Sequence, residues 1–200
     1  MLCPNCKKEI ETGSVFCEHC GARIKKSKKG LWITLSIIFM AIFVAIIATL
    51  IVNLYQINQY ESKSGYVDLG LPSGTLWKNA NEGGKYAYYT YDEAVSRFGN
   101  GLPTVEQFRE LQKMCNMTRK FKNIIVTGPN GNSILFPTAG LIECDGEMFS
   151  VGEQGHYWSS TPYEWDHNQA YNILFDLSPK PASGIGGGQR CERLSVRLVN

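Results

Sequence analysis

Leu31-Trp32-Ile33-Thr34-Leu35-Ser36-Ile37-Ile38-Phe39-Met40-Ala41-Ile42-Phe43-Val44-Ala45-Ile46-Ile47-Ala48-Thr49-Leu50-Ile51-Val52 contains no charged residue. As a helix rising 1.5 Å per residue this run reaches roughly 33 Å, enough for a hydrocarbon core of about 30 Å. In lipid the backbone must satisfy its own hydrogen bonds, so the expected form is one transmembrane helix over residues 31–53. Trp32 and Tyr55 flank it as interfacial aromatic anchors would. A buried core helix would carry a polar stripe, whereas only Thr34, Ser36 and Thr49 interrupt this one. A cleaved signal peptide is disfavoured because a cysteine motif precedes the run and the run exceeds an h-region in length.

The flanks orient the helix. Arg23, Lys25, Lys26, Lys28 and Lys29 stand just before it, in a basic segment at 25–30 and its approach, and only Lys63 stands soon after it. Positive charge is retained on the cytosolic side, so the expected placement is in the cytoplasmic (inner) membrane with the N-terminus in the cytosol and the rest exported. The formal net charge of +2 is too small to steer partners, and the clustered lysines are accounted for by topology and by anionic lipid. Nucleic acid is not an expected partner.

Upstream, Cys3-Pro4-Asn5-Cys6 and Cys17-Glu18-His19-Cys20-Gly21 form two CxxC knuckles with ten residues between them. Two such turns bring four thiolates to one point, so Cys3, Cys6, Cys17 and Cys20 are expected to hold structural Zn²⁺. A redox dithiol would use one CxxC opening a helix in a βαβ context, which is absent. A closed four-thiolate site leaves no open position for catalysis. A segment of residues 1–24 is too short to bury a core, so the metal would supply its folding free energy. The motifs CPNC and FCEHCGARI resemble the short zinc-ribbon module that precedes membrane spans in many bacterial proteins. The sequence departs at Lys7, where such ribbons usually have Gly, and His19 between two ligands is expected to face solvent. A cytosolic protein is the expected partner of the ribbon.

Downstream, residues 54–64 read as a polar stalk, and residues 65–200 as one domain of short strands, tight turns and few helices. At 200 residues the chain has no room for a multidomain enzyme. Thr90-Tyr91-Asp92-Glu93 and Thr104-Val105-Glu106-Gln107 are capping boxes, and Val105, Phe108, Leu111, Met114 and Cys115 share a helical face. Ile124 to Thr127 and Ser133 to Phe136 flank Gly128-Pro129-Asn130-Gly131 as a hairpin. Further strands are expected at His156 to Ser160, Ala170 to Leu177 and Arg193 to Leu198, the last half-buried by its alternation. Ser178 to Gly188 reads as a small, solvated, flexible loop. Tyr157 and Trp158 read as core aromatics, Arg197 as an internally paired strand residue, and Glu143, Asp145 and Glu147 as a solvated acidic turn. Cys115, Cys144 and Cys191 admit one disulfide plus a free thiol, and their spacing selects no pair.

Tyr66-Val67-Asp68-Leu69-Gly70-Leu71-Pro72-Ser73-Gly74-Thr75-Leu76-Trp77, Gly101-Leu102-Pro103-Thr104, Thr127-Gly128-Pro129-Asn130-Gly131-Asn132, Gly155-His156-Tyr157-Trp158-Ser159-Ser160 and Ser195-Val196-Arg197-Leu198-Val199 follow one another in the chain. In that order they resemble the Fibrobacter succinogenes major paralogous domain. The resemblance implies an α+β, C-type-lectin-like fold, related to that of formylglycine-generating enzymes. Family members occur largely in Bacteroidetes and related bacteria as exported or surface proteins of the cell envelope. It further implies ligand contact between Thr161 and Gln189, where Tyr163, Trp165, Asp166, His167 and Asn168 mix aromatic and polar groups suited to a glycan or protein. The Trp165-Asp166 pair resembles the calcium motif of true C-type lectins, but His167 stands where Asn is needed, so calcium is not expected. Formylglycine-generating enzymes use two cooperating cysteines at a spacing this chain lacks. No nucleophile, carboxylate-pair or phosphate-loop motif is present. The expected function is that of a membrane-anchored binding protein; the alternatives are an extracytoplasmic thiol enzyme and a structural envelope component.

Overall fold

A computed structural model describes residues 1–24, 29–62 and 65–200, with side chains of the long helix described over 35–55. Lys25, Lys26, Lys28 and Lys63 lie outside the described residues, as do the side chains of Lys29 and Trp32. The chain divides into two compact units, Met1–Leu54 and Tyr55–Asn200.

The first unit begins with two small hairpins. Leu2 pairs with Glu9 and Phe16 with Arg23, both antiparallel. Each hairpin closes in the same way: Lys7 N donates to Cys3 O and Gly21 N to Cys17 O, while Ile10 N donates to Met1 O and Ile24 N to Val15 O. Ile10 and Ile24 are buried with Cys3 and Cys17 in a four-residue core. Helix α1 (Lys29–Ser62) follows, and at 34 residues it is about 51 Å long. Its Leu35–Tyr55 stretch has a mean hydropathy of 3.0 and none of it is buried, so it is not a core helix of this structure. The Thr49 hydroxyl donates back to Ala45 O and Ile46 O, leaving no unmet side-chain donor at that position. The segment read as a stalk is helical through Ser62.

The second unit mixes two helices with short antiparallel sheets. In chain order it holds β1 (Tyr66–Asp68), β2 (Leu76–Lys78), α2 (Tyr91–Phe98), α3 (Val105–Met114), β3 (Asn116–Arg119), β4 (Asn123–Thr127), β5 (Ser133–Pro137), β6 (Leu141–Ile142), β7 (Met148–Phe149), β8 (Gln154–Pro162), β9 (Gln169–Asp176) and β10 (Ala182–Gln189). The sheets are β1-β2, β3-β4-β5, β6-β7 and β10-β9-β8. Both capping boxes form. Glu93 N donates to Thr90 Oγ1 and Thr90 N to Glu93 Oε2; Gln107 and Thr104 repeat the exchange. Val105, Phe108 and Leu111 face the core, whereas Met114 is exposed and Cys115 only half-buried, because the helix ends as the face reaches solvent.

The β4–β5 hairpin turns through the expected Gly-Pro-Asn-Gly loop, with Thr127 opposite Ser133. Gly128 is required there: a Cβ would sit 2.0 Å from Leu69 O. Asn130 Nδ2 and Asn132 Nδ2 donate to Asp68 O, so this loop holds the Tyr66-to-Gly70 segment. Phe136 is the hub of the larger core, with ring centres 5.0 Å from Tyr157 and 4.6 Å from Phe175. Trp158 anchors a second cluster with Tyr91, Leu194 and Val196.

Two expectations are corrected. Residues 182–189 are not a solvated loop but strand β10, paired with β9 along its whole length. Low strand propensity at glycines is overridden by the partner strand's backbone and by Ile185 packing on the core. The C-terminal segment is not half-buried: Ser195 and Arg197 are as buried as Leu194 and Val196. Isolated bridges to Tyr89, Ile142, Tyr157 and Trp77, rather than the continuous strand expected, thread it through the domain interior and cover both faces over residues 194–197.

Candidate metal centre and ligand surface

The two CxxC turns bring Cys3, Cys6, Cys17 and Cys20 together, with all four Sγ atoms within 4.8 Å of one another. A tetrahedron with Zn–S distances of about 2.3 Å has edges of roughly 3.8 Å. Cys3 Sγ lies 3.8 Å from Cys20 Sγ, and Cys6 Sγ 3.7 Å from Cys17 Sγ. The donor set therefore fits zinc. Backbone N–H groups favour the thiolates: that of Cys6 lowers the Cys3 pKa, and that of Ala22 takes Cys20 down to about 6. Asn5 Nδ2 also donates to Cys20 Sγ. Burial pushes the Cys17 thiol up to about 11, a cost that a bound cation offsets. His19 is exposed and its Nε2 lies 3.2 Å from Glu9 O, an acceptor, which engages the ring away from the sulfurs. Lys7 adopts φ +60° at the place where Gly21 adopts φ +70° in the second knuckle, so the turn demands the left-handed region in both.

In the second unit, the loop at 163–168 does not gather its side chains to one point. Tyr163 packs on Tyr171, with ring centres 4.8 Å apart. Asp166 accepts from Asn168 N and Gln169 Nε2, bonds that lower its pKa and commit the carboxylate to the turn. Trp165 is 79% exposed, and His167 and Asn168 are exposed beside it. Arg190, which sequence reasoning did not single out, ties this loop to α2: its Nη1 donates to His167 O, its guanidinium pairs with Asp92, and it lies 4.8 Å over the Tyr91 ring. Nothing local marks Arg190, since its partners lie far away in the chain.

Cys144 and Cys191 are disulfide-bonded, and Cys115 is free with its thiol pushed by burial to about 11. Arg197 is fully buried and donates to Asn81 Oδ1, Lys78 O and Leu135 O, with its guanidinium 4.6 Å over the Phe136 ring. The internal pairing expected for it is present. Glu143 N donates to Glu147 O across the exposed turn between β6 and β7.

Comparison with protein families matches residues 2–24 to the zinc-ribbon domain. Residues 2–24 are thus a zinc ribbon whose four cysteines form a structural zinc site. Neither the curated proteins nor the solved structures yielded a match.

Proposed function

We propose that this chain is a single-pass protein of the cytoplasmic membrane, with α1 as the span, the zinc ribbon in the cytosol as a protein-docking module, and residues 65–200 outside as a binding domain. The observation that carries this reading is a redox contrast along the chain. Before the helix, four clustered thiols are kept as metal ligands; after it, Cys144 and Cys191 are oxidised to a disulfide. Thiolate zinc sites persist in reducing compartments and disulfides in oxidising ones. A helix of the length and hydropathy of Leu35–Tyr55, with Arg23 and the lysines before it, is the element that separates such compartments. A cleaved signal sequence would discard the ribbon that residues 2–24 build.

For the outer domain we propose membership of the Fibrobacter succinogenes major paralogous family with a lectin-like fold. Support comes from the order of its motifs and from their mutual use, as when Asn130 and Asn132 hold the Asp68 carbonyl. Its ligand is a glycan or an envelope protein. The thiol-enzyme alternative loses support, because two candidate cysteines are bonded to each other and burial disfavours the thiolate of Cys115.

Protease treatment of spheroplasts carrying terminal epitope tags tests the arrangement. The C-terminal tag is expected to be lost and the N-terminal tag retained; loss of the N-terminal tag alone refutes it.

A further inference from the structure

The β10-β9-β8 sheet has one face on the aromatic core, while the other is packed at Ala170 and Trp158 but open along β10. Side chains alternate along a strand, and Ile185 of β10 packs against the core, so Gly184, Gly186 and Gly188 lie on the opposite face. A Cβ on Gly184 or Gly186 would meet no atom within 4 Å, and neither residue has a positive φ. Neither packing nor backbone conformation therefore requires glycine there, although each glycine weakens a strand by about 0.5–1 kcal/mol. Glycine in a strand often marks a place where another molecule comes close to the backbone.

The missing side chains leave a groove of about 500 Å³ above β10. That is within the range of roughly 300–1,000 Å³ typical of small-molecule sites. In the register, Leu174 lies opposite Gly184 and Asn172 opposite Gly186, with His156 of β8 beyond Leu174. Leu141, Gln189 and Glu192 complete the walls. The lining is thus a few apolar surfaces with amide, imidazole and carboxyl groups among them. Burial takes the His156 pKa down to about 4, which leaves its imidazole neutral at pH 7, and raises that of Glu192. With a neutral imidazole and a carboxyl group but no Lys or Arg in its lining, the groove offers little to an anionic ligand. It suits one whose hydroxyls both donate to and accept from amides and a neutral imidazole while its C–H faces rest on Leu141 and Leu174.

We propose that this groove binds a short neutral oligosaccharide along the glycine face of β10. An extended peptide is the less suited occupant, because the strand's outer edge is already engaged where Gln112 Nε2 donates to Ser183 O. The groove adjoins the 163–168 loop through Gln169, which lines it and donates from Nε2 to Asp166 Oδ2, and it deepens the reading of residues 65–200 as a binding domain. It rests on that reading only for where the ligand is met. Binding is measured on purified protein and topology in cells, so the two ideas fail separately.

The test uses the full-length protein in nanodiscs, titrated calorimetrically with cellotriose, maltotriose and triacetylchitotriose. At least one trisaccharide is expected to bind, and Gly186→Leu, filling open space, is expected to weaken it by about tenfold or more, the equivalent of 1.4 kcal/mol. Gly184→Val is a second substitution into empty volume should the leucine perturb folding, and thermal unfolding of each variant is followed in parallel. Tyr86→Ala, at an exposed aromatic outside the groove lining, is expected to leave affinity unchanged. The proposal is overturned if the folded protein binds none of the three, if both groove variants bind normally, or if tetra-alanine occupies the groove and the sugars do not.

Discussion

The ribbon contains its own control experiment, because Lys7 and Gly21 occupy matching turns with φ of +60° and +70°. A left-handed backbone costs an L-residue about 1–2 kcal/mol relative to the right-handed form. Replacing it with glycine returns most of that, less about 0.4–1 kcal/mol because glycine makes the unfolded chain more flexible. Lys7→Gly should thus stabilise the folded ribbon by about 0.5–1 kcal/mol. Folding and metal binding are one equilibrium in a module this small, so that gain appears as zinc affinity, roughly two- to fivefold. A Cβ at Gly21 would meet no atom within 4 Å, so Gly21→Lys suffers only the backbone penalty and should weaken zinc by a similar factor. Competition with a chromogenic chelator on full-length protein reads both changes. If Lys7→Gly weakens zinc, or if Gly21→Lys leaves it unchanged, the turn argument is wrong.

Other outcomes follow from the second unit. Burial lowers the His156 pKa from 6.5 to about 4, so its contribution to stability is fully present above pH 6.5 and is lost as pH falls towards 4. The upper bound is about 3 kcal/mol, and His156→Gln should flatten that part of a denaturation-versus-pH profile. Opening the Cys144–Cys191 bridge, whose partners are 47 residues apart, should cost roughly 2–4 kcal/mol in chemical denaturation. Arg197→Met orphans the Asn81, Lys78 and Leu135 acceptors and should cost at least about 3 kcal/mol, visible as a lowered unfolding midpoint.

What could be read in advance was what the chain decides locally. Thr90 and Thr104 announce their helices because each cap bonds a residue three positions on. The four ribbon cysteines announce a metal because two short turns suffice to bring them together. The β4–β5 hairpin was readable for the same reason, its turn lying between two apolar runs. The hidden features depend on distant partners. Residues 184–188, four of them glycine, look like a loop until β9 is laid beside them. The alternation of Leu194, Val196 and Leu198 suggests one wet face, yet bridges from Tyr89, Ile142 and Tyr157 cover both. The Tyr163-to-Asn168 cluster looks convergent in one dimension, but Tyr163 turns to Tyr171 and Asp166 to its own turn. Cys144 meets Cys191 only because β6–β7 and the end of β10 approach each other in the fold.

The most direct measurement labels single added cysteines in intact cells with a membrane-impermeant maleimide, in a Cys115→Ala background. Thr12 and Ser178 are both exposed, one in the ribbon and one in the second unit. Ser178→Cys should react in unbroken cells and Thr12→Cys only after permeabilisation. Labelling of Thr12→Cys from outside, with Ser178→Cys protected, would contradict the division of the chain between two compartments.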